Sequence, residues 1–247
     1  MADSYADIRA ALRQLQALVP NYVLYRNYVE GQHRLSFATD KFRSAFGSLF
    51  YAFADNLCRC VIDALADRLQ VTGFTVEAGP GDVGQLVWEL WVSNRMDQRA
   101  GEVHQEALIC GDSYAIVWPD QDGNVTIYPQ SANSITVRYD PELPGKIRWA
   151  AKCWVDEDEY TRLNLYYPDR LEKYITRNRT LGGFPSGEND FVPYEVPGEP
   201  WPVLHDYGRV PVFHFANNGR IGNFGRSELA DVLPLQDALN KSIMDML

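Results

Sequence analysis

Gly111-Asp112-Ser113-Tyr114-Ala115-Ile116-Val117-Trp118-Pro119-Asp120-Gln121-Asp122-Gly123-Asn124-Val125-Thr126-Ile127-Tyr128 is the stretch in which the hydrophobic period of the chain changes. Before Gly111 the apolar residues recur every three to four positions, the spacing of a helix face; after it they follow the pattern of strands. Two β-rich runs, Tyr114 to Trp118 and Val125 to Tyr128, flank Asp120-Gln121-Asp122-Gly123-Asn124, which reads as a hairpin turn. The fold class that follows is α+β: N-terminal helices, then an antiparallel β-rich meander, then a C-terminal helix.

Toward the N-terminus, Tyr5, Ile8, Leu12 and Leu15 form one face of a first helix, expected to end by Pro20. Tyr22 to Val29 then reads as a short aromatic-rich helical turn closed by Gly31. A segment with Phe37, Phe42, Phe46 and Phe50 leads to the clearest helix, capped by Asn56, with Leu57, Val61, Ile62, Leu65 and Leu69 on one side. Gly73-Phe74 is expected to exit into a short strand, and Gly79-Pro80-Gly81 marks a linker. Leu86, Val87, Leu90, Trp91 and Asn94 make another helix, and Val103, Ala107 and Leu108 a further one, stopped at Gly111.

Toward the C-terminus, strands are expected at Ser134 to Tyr139, Ile147 to Val155, Thr161 to Tyr166, Leu171 to Thr176 and Val210 to Phe215. Arg177 to Pro202, polar and rich in Gly and Pro, reads as a long exposed loop. After Gly222 and Gly225, Ser227 is the expected N-cap of a last helix with Asp231 in its first turn. Leu229, Leu233, Leu235, Leu239, Ile243 and Met246 form its apolar stripe, and no Gly, Asn or Pro closes it. A stripe intact to the last residue needs a surface to pack on, so the sequence is expected to be part of a longer or assembling polypeptide. The organisation read from this pass is an N-terminal helical segment over 1–78, an α+β core over 79–226 with the exposed loop 177–202, and a terminal helix over 227–247 that begins a further region.

Composition narrows the function. With 46% hydrophobic, 13% aromatic and 23% charged residues the chain belongs with ordered globular proteins. A net charge of −10 argues against a surface built to neutralise phosphates, which needs clustered Lys and Arg. Asp3, Asp7, Arg9 and Arg13 interrupt the apolar positions of the first twenty residues, so these read as neither a signal nor a transit peptide, and a location reached without secretion is expected. Cys58 and Cys60 lie about 200° apart around a helix and can neither pair nor share a metal, while Cys110 and Cys153 read as small buried hydrophobes.

No catalytic, cofactor-binding or metal-binding residues emerge from the motifs. Asp120-Gln121-Asp122-Gly123 begins like a calcium loop, but its Gly comes too early and no closing glutamate follows, so a hairpin turn is the better reading. Gly219-Arg220-Ile221-Gly222-Asn223-Phe224-Gly225 has the glycine density of a phosphate loop without the Lys and the Ser or Thr that such a loop needs. His33, His104, His205 and His214 lie in different elements with no ligand spacing. A hydrolase-like enzyme would have to use His104 with an acidic partner, Asp97 or Asp112; a triad with Ser113 lacks the strand-to-helix elbow that would present the serine.

A set of local patterns in fixed order carries more. Tyr25-Arg26-Asn27-Tyr28-Val29-Glu30-Gly31-Gln32-His33 is followed by Asn56 with Val61-Ile62-Asp63 and Arg68-Leu69-Gln70-Val71-Thr72-Gly73-Phe74. Trp91, Asn94 and Asp97 come next, then His104 to Leu108 with Gly111-Asp112-Ser113-Tyr114, and Tyr139-Asp140-Pro141. Tyr166-Tyr167-Pro168-Asp169-Arg170-Leu171-Glu172-Lys173-Tyr174 and Gly208-Arg209-Val210-Pro211-Val212 lead through Asn217 to Gly225-Arg226-Ser227-Glu228-Leu229. In this order, from Tyr22 to Leu247, the chain resembles the N-terminal wing region of portal proteins of tailed double-stranded DNA phages.

The resemblance implies a non-catalytic ring, usually of about twelve subunits, at one capsid vertex, through which a packaging motor drives DNA. It also implies partners in the terminase, the major capsid protein and head-completion proteins, and further segments, beyond a point like Leu247, that complete the stem and clip. Channel-lining and motor-contacting residues are therefore not carried over to this chain. Two other readings stand beside it: the soluble enzyme with its site near His104, and a head-completion adaptor that binds partners through the loop from Arg177 to Pro202.

Overall fold

The computed structural model describes residues 2–33, 41, 44, 56–77, 82–180, 185, 187–219 and 224–246. Phe37, Phe42, Phe46 and Phe50, the Gly79-Pro80-Gly81 linker and most of Gly219 to Gly225 lie outside the described residues. The fold is α+β, with N-terminal helices, antiparallel sheets and a C-terminal helix. Two compact units, each discontinuous in sequence, make up the chain. Unit 1 comprises Met1–Pro20, Ser113–Phe215 and Arg220–Asn223; unit 2 comprises Asn21–Asp112, Ala216–Gly219 and Phe224–Leu247.

The first helix, α1, runs from Ala2 to Val29 and passes through Pro20, where it was expected to stop. Proline removes one N–H and crowds the preceding turn, a cost that an isolated helix does not tolerate. Here both flanks are held by packing: Ile8, Leu12 and Leu15 are buried in unit 1, and Tyr22, Tyr28 and Val29 in unit 2. Pro20 was therefore wrongly read as the end of the helix. Gly31, at φ +75, ends the helix, with the Gln32 amide donating to the Asn27 carbonyl at 2.7 Å.

Unit 1 is built on the meander. Strands β1 (Asp112–Pro119, which enters from unit 2) and β2 (Val125–Gln130) form the expected hairpin, with Val117 opposite Ile127. The turn is set by Asp120, whose Oδ1 accepts the amides of Asp122 and Asn124 at 2.9 and 2.8 Å while Gly123 takes φ +84. These bonds lower the Asp120 pKa, because the charged form is the better acceptor. Strands β3 (Ile135–Tyr139), β4 (Ile147–Val155), β5 (Thr161–Tyr166) and β6 (Arg170–Thr176) follow in antiparallel order.

The segment expected to be an exposed loop holds a turn of 3-10 helix at Glu188–Asp190 and strand β7 (Phe191–Pro193), which extends the sheet beside β6. Phe191 is fully buried, so this loop is partly core. Its three-residue strand was too short to show an alternating pattern. Strand β8 (Val203–Leu204) also pairs with β6, and β9 (Val212–Ala216) joins β1 to give a second sheet of order β2-β1-β9.

Register places Ala151 opposite Leu165, Cys153 opposite Leu163 and Leu163 opposite Tyr174, so these side chains share one face of the larger sheet. Ile8, Leu12 and Leu15 of α1 pack against that face together with Trp149 and Phe191. Glu172, on the same face and 6% exposed, is satisfied by Arg170 Nε and Tyr174 OH, both at 2.7 Å. A buried polar residue of this kind is tolerated where both carboxylate oxygens find donors.

Unit 2 contains α2 (Leu57–Ala66), α3 (Val83–Ser93), α4 (Met96–Cys110) and α5 (Leu233–Met246). Asn56 caps α2 as expected, its Oδ1 accepting the Arg59 amide at 3.3 Å. The buried positions of α2 are Cys58 and Ile62; Leu57 is 51% exposed, and Leu69, also exposed, falls beyond the helix end. Residues 70–76 form no strand; Phe74 instead sets its ring against Trp91 at 5.4 Å. Tyr28, Ile62, Leu108 and Leu229 centre the core of this unit.

The last helix begins at Leu233, because Leu229 to Asp231 are in turns, and its buried residues are Gln236 and Asn240. Leu235 and Met246, expected on the packed stripe, are 70% and 78% exposed. Burial raises the Cys58 thiol to about 11 and the Cys110 and Cys153 thiols to about 12, while Cys60 is exposed. No helix among the described residues is long and apolar enough to cross a membrane.

Core position separates two leucines. Leu163→Ala should cost about 2–5 kcal/mol through lost burial and a cavity, and Leu57→Ala less than about 0.5 kcal/mol, both read by chemical denaturation.

Candidate functional site

Motif segments that lie far apart in sequence, Tyr25 to His33, Gly111-Asp112, Asn217 and Gly225 to Leu229, meet in unit 2 on two polar networks, whereas Tyr139 to Pro141, Tyr166 to Tyr174 and Gly208 to Val212 lie in unit 1. The first joins the end of α4 to the chain before α5. Gly111 ends α4 at φ +89, and Asp112 follows, only 1% exposed. Its carboxylate takes one donor on each oxygen: the Tyr22 hydroxyl at 2.6 Å and the Gly225 amide at 2.7 Å. Asn217 bridges the same strands of backbone, its amide donating to the Gly111 carbonyl and its carbonyl accepting from Arg226, both at 2.7 Å.

Two glycines make this approach possible. A Cβ on Gly225 would lie 1.8 Å from the Gly111 carbonyl oxygen, and one on Gly111 would lie 2.9 Å from the backbone of Gly225 and Arg226. Backbone cannot yield as a flexible side chain does, so only glycine fits at either place. Ser227 then closes the latch: its Oγ donates to the Ile109 carbonyl at 2.5 Å and accepts the Leu229 amide at 3.0 Å. Ser227 was expected to cap the last helix; that helix begins only at Leu233, and the Ser227 hydroxyl instead holds a turn before it and ties down a free carbonyl of the last turn of α4. Glu228 Oε1 receives Asn217 Nδ2 and Asn218 Nδ2, and Arg226 makes a two-pronged pair with Asp231.

The second network fastens α5. The Leu57 amide donates to Gln236 Oε1 at 2.9 Å, Gln236 Nε2 to Asn240 Oδ1 at 3.0 Å, and Asn240 Nδ2 to His33 Nδ1 at 3.0 Å. His33 Nε2 lies 3.3 Å from the Tyr28 carbonyl. Every donor in this chain points the same way, which requires a neutral imidazole with its proton on Nε2. Burial lowers the His33 pKa and so favours that neutral form. Tyr28 OH donates to Asp237 Oδ1 at 2.6 Å, adding a further tie from α1 to α5.

The chemistry weighed for an enzyme is not assembled. Both oxygens of Asp112 are engaged as described, and no hydrogen bond links His104 to Asp97 or Asp112 among the described residues. His104 Nδ1 is buried without a hydrogen-bond partner there, and so is Ser113 Oγ. Among the described residues no three His, Cys, Asp or Glu side chains are grouped to hold a metal ion. Sequence reading missed Tyr22, Gln236 and Asn240 as network members; polar residues at helical spacing on an otherwise apolar stripe are the signal that marks the last two.

These arrangements define a scaffold that fixes backbone to backbone. Residues 54–247 match the family described as phage portal protein, SPP1 Gp6-like, and the chain belongs to that family of structural proteins. No curated protein matches the chain.

Gly225→Ala should destabilise unit 2 by about 3 kcal/mol, the upper range for overpacking, measured by denaturant unfolding. The His33 prediction concerns pH. A folded pKa below the unfolded value of 6.5 means that the unfolded state binds more protons as the pH falls. The associated stability is present above the unfolded value and lost as pH falls through the folded one. His33→Gln should flatten this slope of unfolding free energy between neutral and mildly acidic pH.

Proposed function

We propose that this chain is a subunit of the portal ring at one vertex of a phage capsid, the channel by which DNA enters during packaging and leaves at ejection, and to which the tail is joined. The observation that carries this reading is the family match over residues 54–247. The meeting of several motif segments on two backbone-fixing networks supports it, since a ring subunit under the load of a packaging motor needs rigid connections. The net charge of −10 supports it too: a duplex slides past an acidic protein without being held.

In this reading the ring comprises about twelve copies of the chain, assembled in the host cytoplasm and kept in the virion. Its partners are the terminase motor, the major capsid protein and head-completion proteins, and double-stranded DNA passes without specific binding. No cofactor takes part.

Negative-stain electron microscopy of the longest product of the natural gene tests this reading. Rings with a central hole and about twelvefold symmetry are expected. Only small compact particles at high protein concentration would overturn it.

A further inference from the structure

Among the described residues of unit 1, Lys146 and Arg209 stand without an ion pair in a groove at one end of the larger sheet, and Glu157 and Asp158 without one at the other. The β3–β4 and β5–β6 connections meet at the first end, where a groove of about 480 Å3 runs beside β9. Lys146 and Arg209 line it with Phe213 and Phe215, which are 42% and 45% exposed. Neither cation forms an ion pair among the described residues. Asp140, in the same connection as Lys146, is turned onto the amides of Glu142 and Leu143.

At the far end of β4 the chain reads Val155-Asp156-Glu157-Asp158-Glu159. Asp156 is used within the turn, accepting the amides of Asp158 and Tyr160 and pairing with Arg162 at 2.6 Å. Glu159 faces Arg179 at 3.9 Å. Glu157 and Asp158 are exposed and form no ion pair among the described residues, and Val155 beside them is 41% exposed.

Within one subunit these groups cannot satisfy each other. The nine residues of β4 separate them by about 30 Å, several times the ~8 Å Debye length at physiological salt. Water satisfies each exposed charge, and a protein complement to either has to come from another molecule. A duplex is a poor match for the groove, because only two cations stand among apolar side chains, whereas phosphate binding needs many. An acidic protein tip with one apolar residue is a close match. An acidic knob and a basic, apolar-walled socket at opposite ends of one sheet form a head-to-tail pair, the kind of contact that closes identical subunits into a ring.

We propose that the β4–β5 tip of one copy seats in the groove of the next, with Glu157 and Asp158 meeting Lys146 and Arg209, and Val155 against Phe213 and Phe215. This assignment rests on the ring reading, to which it adds the contact surface.

The test uses the longest product of the natural gene and two charge reversals, Lys146→Glu with Arg209→Glu, and Glu157→Lys with Asp158→Lys. Each reversed pair alone should weaken ring formation by at least about tenfold, read by size-exclusion chromatography and electron microscopy. A chain carrying both reversals should form rings again, and mixing the two single-pair proteins should restore association, because each tip then meets a groove of opposite charge. Unchanged rings in both variants would overturn the assignment and leave the ring reading intact. Loss of rings with no recovery in the doubly reversed chain or the mixture would overturn it as well. Intact rings that lose only DNA retention would assign the cations to nucleic acid instead. Absence of rings from the unaltered protein would remove both readings together.

Discussion

The carboxylate of Asp112, held between the Tyr22 hydroxyl and the Gly225 amide, is the contact on which the rest of unit 2 depends. It sits where α4 ends and β1 begins, and it reaches both α1 and the chain that leads into α5. A nearly inaccessible acid is costly unless each oxygen is given a donor. Here the donors come from residues 90 positions earlier and 113 later, so the bond forms only when three distant segments are in place. Hydrogen bonds to charged groups contribute about 1.5–3 kcal/mol each. The latch is therefore both a stabilising contact and a check on correct assembly of the unit.

Much of this was legible in the chain. The change of period at Gly111, the strands from Ile135 to Thr176 and the hairpin at Asp120 were all visible, because local pattern and tertiary environment agree there. Disagreements arose where tertiary packing overrode a local rule. Pro20 does not end α1 because buried residues hold the helix on both sides of it. The strand at Phe191–Pro193 was hidden because three residues are too few to display a period. Leu57, Leu235 and Met246 were placed on buried faces because apolar spacing alone does not fix the phase of a stripe. In α5 the phase is set by Gln236 and Asn240, whose amides are buried because a relay of partners awaits them.

The family itself was legible through the order of short motifs, each weak alone. The structure supplies a physical sense for part of that order: Tyr28, His33, Gly111-Asp112, Asn217 and Gly225 to Leu229 belong to the two polar networks of unit 2. Their spacing along the chain is arbitrary, whereas their meeting in space is not. Gly111 and Gly225 show why a motif can need glycine with no ligand to bind, since either side chain would intrude on the other segment's backbone. His104 drew notice as a lone histidine, and among the described residues no hydrogen bond joins it to Asp97 or Asp112.

The unequal burial of the cysteines has a practical consequence. Three thiols are enclosed and held protonated at neutral pH, where a thiol does not attack electrophiles. Cys60 alone of the four stands exposed, on α2. The unaltered chain thus carries a natural attachment point for a maleimide dye, and copies gathered in an assembly would each bear one label in an equivalent position. Energy transfer between such labels would read subunit spacing without engineering a single residue.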